Sequence, residues 1–418
     1  VSAVPVVGAA TARVVDVRTA TTVVPLPQPL HLGAMTVTRR EYVGVRVVLD
    51  TPGGRVTGDA YALTREAPMA ELVERLVAPH VVGRELDVAD PAPGVRAAWD
   101  AALRGSAIVG RVGLVRRAVG LVDVALWDAA GKLAGEPVWR LLDRDAGGRA
   151  EVRPDAAATA PAPRTAILVA AYPTPGRTAR DVADEVLAHA HAGWPLLKIS
   201  RSTDRALMRE LLTILRTELP AVTGRPTVLG RSGVVVDVGF GWRDADEAVA
   251  DLDAWGVCDP DHRDEPALAW LEDPLLPEDV EGAARVRAAS GLPLSVGDEV
   301  TDPEVLDRLV ALGALDVPRV DVVAIGGITA ADPLVRGWSA QGLPVSSHVY
   351  PEVSVHLGGA AGIGVETFDR SPDGNPYDPA PLLVRGGPTF DAGTALPPDA
   401  RGLGFVLDPD RFDLEEPS

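Results

Sequence analysis

The chain has 418 residues, 46% apolar and 24% charged, with a formal net charge of −19. That length suffices for two domains, or for one barrel with an attached lid, and the acidic balance without a basic stripe argues against a nucleic-acid binder. No stretch approaches eighteen uninterrupted apolar residues, so no helical membrane span is expected, and the lone Cys258 excludes an internal disulfide or a cysteine metal cluster.

Residues 11–63 alternate apolar and polar positions in R-V-V-D-V-R and V-G-V-R-V-V-L-D-T, turn at Pro52-Gly53-Gly54, and resume in V-T-G-D-A-Y, which predicts an antiparallel meander. Leu26 to Glu41, with its prolines, His31 and Gly33, reads as a mobile loop. Arg13, Asp16 and Arg18 do not suit a secretory signal, and a cytoplasmic protein is expected. Residues 68–143 carry apolar positions at three- and four-residue steps, the mark of helices. An α+β domain over 1–145 is therefore expected, with a join rich in Ala, Pro and Arg at 150–165.

From Ala166 onward, short apolar runs alternate with helical patterns. The runs are I-L-V-A-A-Y, L-L-K-I-S, V-V-V-D, A-W-L-E, L-S-V-G-D, V-D-V-V-A-I and P-V-S-S-H. The helices between them are expected at 178–192, 204–218, 244–255, 278–290, 303–312 and 329–341. A βα repeat of about 25 residues predicts a parallel barrel. The barrel domain is expected over 150–385, and a Pro- and Gly-rich segment over 386–418 is expected to pack back on the first domain. The fold class is α/β, a modified (β/α)7β TIM-type barrel with an N-terminal α+β capping domain.

Three of the runs end in an acid: Asp237, Glu272 and Asp298. Parallel barrels keep their chemistry at the rim where strands end. Three carboxylates meeting there repel one another unless a cation intervenes, and hard oxygen ligands favour magnesium. Glu272 and Asp298 lie 26 residues apart, about one βα unit; Asp237 and Glu272 lie 35 apart, the excess falling in the polar stretch 258–266. Glu299 is the rival for the third ligand, but strand alternation aims only one of two neighbours inward.

Only two of the 40 basic residues are lysines, Lys132 and Lys198. A lysine kept against such a bias can mark a place where the proton must be able to leave, which arginine does not permit. For Lys132 the functional and incidental readings balance; for Lys198 function is favoured.

Read together, V-D-V-A-L-W-D-A-A-G-K (122–132), W-L-E-D-P (270–274), G-D-E (297–299), D-V-V-A-I-G-G-I-T (321–329) and P-V-S-S-H (344–348) resemble the enolase superfamily, and within it the mandelate racemase subgroup of acid-sugar dehydratases and racemases. The resemblance covers nearly the whole chain. It implies that Asp237, Glu272 and Asp298 bind magnesium, that His348 paired with Asp321 is a catalytic base, and that Glu366 in G-V-E-T-F-D donates a hydrogen bond to a forming enolate. A Lys or His base beside one or two magnesium ions is the established pattern of that superfamily. The chain departs from it twice. Where Lys-x-Lys is usual, it has Lys198-Ile199-Ser200; counted from Gly193-Trp194, Lys198 is the first lysine and Ser200 replaces the second, whereas counting from the following Ile makes Lys198 the second. The first alignment is preferred. Where Asn often stands two residues after the first metal ligand, it has Gly239.

The implied chemistry is removal of the α-proton of a carboxylate substrate through an enolate. With Ser200 in place of a second base, dehydration of a sugar acid to a 2-keto-3-deoxy acid is expected ahead of racemisation or epimerisation, and ahead of a degenerate barrel that binds an acid without turning it over. Ser200, together with His31 and Tyr61 from the loops at 26–41 and 60–66, is a candidate substrate contact. A homo-oligomer with no nucleic-acid or membrane partner is expected.

Overall fold

The computed structural model describes residues 10–32, 35–146, 162–219, 228, 230, 232–258, 268–359, 362–370 and 375–415. Most of the 150–165 join and most of the 258–266 insertion lie outside the described residues.

The meander is present as β1 (Thr11–Leu32), β2 (Met35–Thr51) and β3 (Gly54–Leu63), with β4 (Glu85–Asp87) beside β1 in the order β3-β2-β1-β4. The expected loop at Leu26–Glu41 is instead the far end of the β1–β2 hairpin. Its pairing slips between Pro25 and Leu30, where prolines lack the N–H that a ladder needs. Leu26 and Leu30 anchor this end by burying themselves against Val169, Tyr172, Phe368 and Tyr377.

A helical layer follows: α1 (Met69–Leu72), a π turn over Val73–Val77, α2 (Ala78–Val81), α3 (Ala92–Gly105), α4 (Leu114–Ala134) and α5 (Val138–Ala146). From Val119 to Gly131, α4 is buried on every side, as a helix apolar all round must be. Its two acids are tied down rather than free. Asp123 accepts from the N–H and hydroxyl of Thr329 (2.8 and 2.6 Å). Asp128 accepts from Asp59 N–H (2.9 Å), Leu403 N–H (2.8 Å) and Lys132 Nζ (2.6 Å). Lys132 is thus a structural cation, which decides between its two readings.

Seven parallel strands then succeed one another: β5 (Arg164–Ala171), β6 (Leu196–Ser200), β7 (Gly233–Asp237), β8 (Leu268–Glu272), β9 (Leu294–Val296), β10 (Val317–Val320) and β11 (Ser346–Ser347). An eighth, β12 (Val365–Phe368), was not among the expected runs. It pairs with β5 on one side, and Gly364 beside it bridges Ser346 on the other, which closes the barrel. Only α12 (Pro351–Ser354) and a Gly-rich stretch precede β12, so no helical spacing announces it.

The connecting helices are α6 (Ala179–His191), α7 (Arg205–Glu218), α8 (Ala245–Trp255), α9 (Val280–Ser290), α10 (Pro303–Ala311) and α11 (Ile328–Ala340). Five start on a side-chain cap, Thr178, Asp204, Asp244, Asp279 or Asp302, each accepting from a first-turn N–H. One expected strand is misplaced by half its length. The strand is V-P-R-V, and Asp321 follows it; D-V-V-A-I forms a turn, because the Asp321 carboxylate accepts from the N–H groups of Val323 (3.0 Å) and Ala324 (2.9 Å).

Beyond the barrel, β13 (Val384–Gly386) pairs with β16 (Phe405–Leu407), and the β14 (Thr389–Asp391)–β15 (Thr394–Leu396) hairpin adds to β5. The tail returns to the first sheet: Leu407 N–H donates to Asp59 Oδ2 (3.3 Å), and Arg18 donates to Leu414 O (3.2 Å). No helix among the described residues is long and apolar enough to cross a membrane.

Candidate active site

Consecutive barrel strands deliver their last residues to one rim. Ser200 ends β6, Asp237 ends β7 and Glu272 ends β8, in register Ser200↔Asp237↔Glu272, and Asp298 follows β9 by two residues. One oxygen from each of Asp237, Glu272 and Asp298 falls within a 4.8 Å cluster.

Lys198, two residues before Ser200 and therefore on the same strand face, puts its ammonium among these oxygens. Nζ lies 3.1 Å from Asp237 Oδ2, 3.7 Å from Asp298 Oδ2 and 2.9 Å from Glu366 Oε2, and it touches Glu272 Oε1. The sequence reading missed a second cation here, Arg319 of β10. Fully buried, it contacts Asp298 Oδ1 through Nε, Glu272 Oε2 through Nη1 (3.3 Å) and Glu366 Oε2 through Nη2. Its signal in the sequence was a charged residue inside an apolar strand run, V-P-R-V.

Four carboxylates thus face two cations. Burial is the largest influence on each member. It raises the pKa of Glu272 and Asp237, whereas at Asp298 it is outweighed by Arg319, His348 and Lys198, which hold that carboxyl below its usual range. Burial works against the Lys198 ammonium, yet the surrounding acids lift its pKa well above the ordinary value. Glu366 is likewise kept ionised: burial pushes its pKa up, but Arg319 and Lys198 pull it down further. Glu366 accepts from Lys198, Arg319 and Val349 N–H (3.3 Å), which places it beside the three strand-end acids.

His348 follows β11, and its Nδ1 lies 3.0 Å from Asp321 Oδ2. An ionised Asp321 calls for the Nδ1–H tautomer, which turns the Nε2 lone pair toward the acid cluster, 3.5 Å from Asp298 Oδ2. Burial lowers the imidazole pKa, but Asp298 and Asp321 more than restore it, and the net shift is upward. The chain then turns sharply: Val349 and Tyr350 take φ of 40° and 45°, a strained choice for a β-branched residue that aims Val349 N–H at Glu366.

Asp298 and Glu299 diverge. Glu299 turns to Arg65 and to Arg117 Nη1 (2.8 Å), away from Lys198. Asp273 was also missed; buried behind the site, it accepts from Gly297 N–H (2.8 Å) and Asp298 N–H (3.3 Å) and so fixes the backbone at Asp298. Gly239 has φ +57° and donates to Asp237 Oδ1 (2.9 Å). That left-handed position suits Gly or Asn alike, which accounts for the departure from Asn.

The remaining expected contacts are less central. Ser200 is half-buried at the rim. Tyr61 is buried, its hydroxyl donating to Glu352 Oε2 (2.8 Å), and it lines a cavity of about 30 Å³ that Glu366 also borders. His31 pairs with Thr36 in the β1–β2 hairpin, and its side chain lies outside the described residues.

The site suits a divalent cation. The two cations leave the four carboxylates short of positive charge, and Glu272 Oε1, although buried against the ammonium, has no aligned hydrogen-bond donor. Family comparison agrees with this architecture. The family described as enolase C-terminal domain-like matches residues 181–411, and the mandelate racemase/muconate lactonizing enzyme N-terminal domain matches residues 14–143. The chain belongs to the mandelate racemase/muconate lactonizing enzyme family of the enolase superfamily. It is 28% identical to a D-galactonate dehydratase family member from Streptomyces sp. (strain SPB074), over 88% of this chain and 81% of that one. It is 26% identical to the L-talarate/galactarate dehydratase of Salmonella typhimurium, over 73% of this chain and 67% of that one. Among solved structures, an enolase from Bradyrhizobium complexed with magnesium and mandelic acid superposes with a TM-score of 0.72 at 25% identity, covering 96% of this chain and 97% of that one. This superfamily member therefore carries both parts of the family's fold, the capping sheet and the barrel.

Proposed function

We propose that the protein is a magnesium-dependent dehydratase of a sugar acid, with residues 1–145 capping a catalytic barrel over 150–385. Asp237, Glu272 and Asp298 would hold the ion. When bound, magnesium supplies electrophilic stabilisation of charge on the substrate carboxylate. The observation that carries the reading is the asymmetry of the bases. His348, oriented by Asp321, turns Nε2 to the acid cluster, while Lys198 is committed to four carboxylates and Ser200 offers a hydroxyl, which is no base at neutral pH unless activated.

In this mechanism His348 Nε2 takes the α-proton and becomes an imidazolium stabilised by Asp321. The electron pair of the broken C–H bond forms the enolate. As the enolate collapses, the C3–O bond breaks, and the proton on Nε2 leaves with the hydroxyl as water. The enol product tautomerises to a 2-keto-3-deoxy acid. Lys198 balances carboxylate charge and stays protonated. The names of the relatives, an L-talarate/galactarate dehydratase and a member of the D-galactonate dehydratase family, support the substrate class.

The test is a panel of acid sugars incubated with magnesium in D₂O. The expected result is a 2-keto-3-deoxy product, with α-deuterium exchange for one configuration only. Deuterium entering both epimers, lost again in Lys198→Met, would replace the dehydratase by a racemase or epimerase.

A further inference from the structure

The three acids that would hold the cation share one feature. Each has one oxygen turned to the Lys198 ammonium and the other taken from behind. Asp237 Oδ1 accepts from Gly239 N–H (2.9 Å). Glu272 Oε2 faces Arg319 Nη1 (3.3 Å) and accepts from Trp270 Nε1–H (3.3 Å). Asp298 Oδ1 accepts from Arg319 Nε–H. Arg319 is the common partner. Its fork reaches two of the three acids and, through Nη2, Glu366 as well, and Nη1 also donates to Ser346 Oγ (3.4 Å).

The barrel is built to admit this side chain. Gly297, next to Asp298, has φ +153°, and a Cβ there would lie 2.0 Å from the Arg319 carbonyl oxygen. Only glycine lets the end of β9 approach the Arg319 backbone so closely. Four separate partners leave the guanidinium one orientation, which a flexible ammonium could not reproduce.

Calcium takes six to eight oxygens, with carboxylates often bidentate, whereas magnesium demands a small octahedral set and uses few carboxylates. Acids whose second oxygens are occupied can each offer only one. We propose that Arg319 is the positioning residue that makes this site discriminate magnesium from calcium, by holding the outer oxygens of Glu272 and Asp298. The inference rests on the metal-site reading above.

It is tested by titrating magnesium chloride and calcium chloride into the whole protein in a calorimeter, with no substrate present. The variants are Arg319→Gln and Arg319→Lys. Removing a positive charge tightens both cations, so the ratio of the two dissociation constants is the readout. In the wild type, one magnesium should bind in preference to calcium. In both variants the preference should fall about tenfold or more, because the freed oxygens admit bidentate calcium. A folded Arg319→Lys protein carries the test if Arg319→Gln does not fold. A wild-type preference retained in both variants would overturn the inference and leave the metal site standing. So would retention in Arg319→Lys alone, since charge would then suffice without the fork. Failure of the wild type to bind magnesium would remove the metal-site reading itself.

Discussion

At the scale of single residues, the site separates groups that look equivalent in the sequence. Asp298 and Glu299 are neighbours, yet one faces Lys198 and the other is held by Arg65 and Arg117. Asp298→Ala should therefore abolish stoichiometric magnesium binding, while Glu299→Ala should keep it; the reverse pattern in a metal titration would exchange their roles. For the base, His348→Asn should retain fold and metal but lose α-proton exchange, because an amide cannot accept the proton. Asp321→Asn should slow exchange less completely by favouring the wrong tautomer, and full exchange by His348→Asn protein would remove histidine from the mechanism. The strand-end acids were legible because a carboxylate closing an apolar run stands out, whereas the His348–Asp321 pair was reached through the family resemblance. Arg319 was not legible as a site residue. A strand-interior arginine makes sense only once its partners on four other segments are known, and these lie 21 to 47 residues away along the chain.

Among the elements, the alternating pattern located the six barrel helices within about two residues of their observed ends, and five of them start where a Thr or Asp caps the first turn, a local signal. Thr178 illustrates it: its side chain and that of Asp181 cap each other's backbone N–H groups. Thr178→Ala should cost ~1 kcal/mol by thermal melting, with the site unaffected. What periodicity could not see was tertiary closeness. V-P-R-V and D-V-V-A-I are both apolar enough for a strand, and the choice between them rests on Asp321 capping its own turn. The β1–β2 hairpin end, rich in proline, carries loop chemistry but is held by buried Leu26 and Leu30. Gly297→Ala should be far more damaging than Thr178→Ala, about 3 kcal/mol or more, since the added methyl must displace the Arg319 backbone and adopt an unfavourable φ. A melting temperature equal to wild type would contradict the close approach.

For the molecule as a whole, buried polar groups tie the sheet, barrel and tail together. His356, just past α12, accepts at Nδ1 from Trp139 N–H of α5 (3.2 Å), and its Nε2–H donates to Leu403 O of the C-terminal segment (3.2 Å). Burial lowers its pKa from 6.5 to about 3. The unfolded chain therefore binds a proton that the folded protein refuses. The stability due to neutral His356 is full above pH 6.5 and declines as the pH falls toward 3. Between pH 6.5 and 5 that loss should reach about 2 kcal/mol. Urea unfolding at the two pH values should show it in the wild type and not in His356→Gln. Equal losses in both proteins would mean that other groups carry the acid sensitivity. None of this was legible in the sequence, where His356 is one of seven histidines with no motif around it.

The two lysines have a practical consequence for anyone handling this protein. Of 40 basic side chains only Lys132 and Lys198 carry a primary amine, and each is engaged, one on Asp128 and the other among four acids. Acylating dyes and amine cross-linkers attack the unprotonated amine, so the native fold should shield the buried Lys198 ammonium from them. The same reagents would mark Lys198 as soon as the rim opens or the chain unfolds. Covalent tagging of Lys198, distinguished from Lys132 by peptide mapping, thus becomes a direct chemical reporter on the integrity of the site, in a protein whose other 38 cationic side chains stay silent.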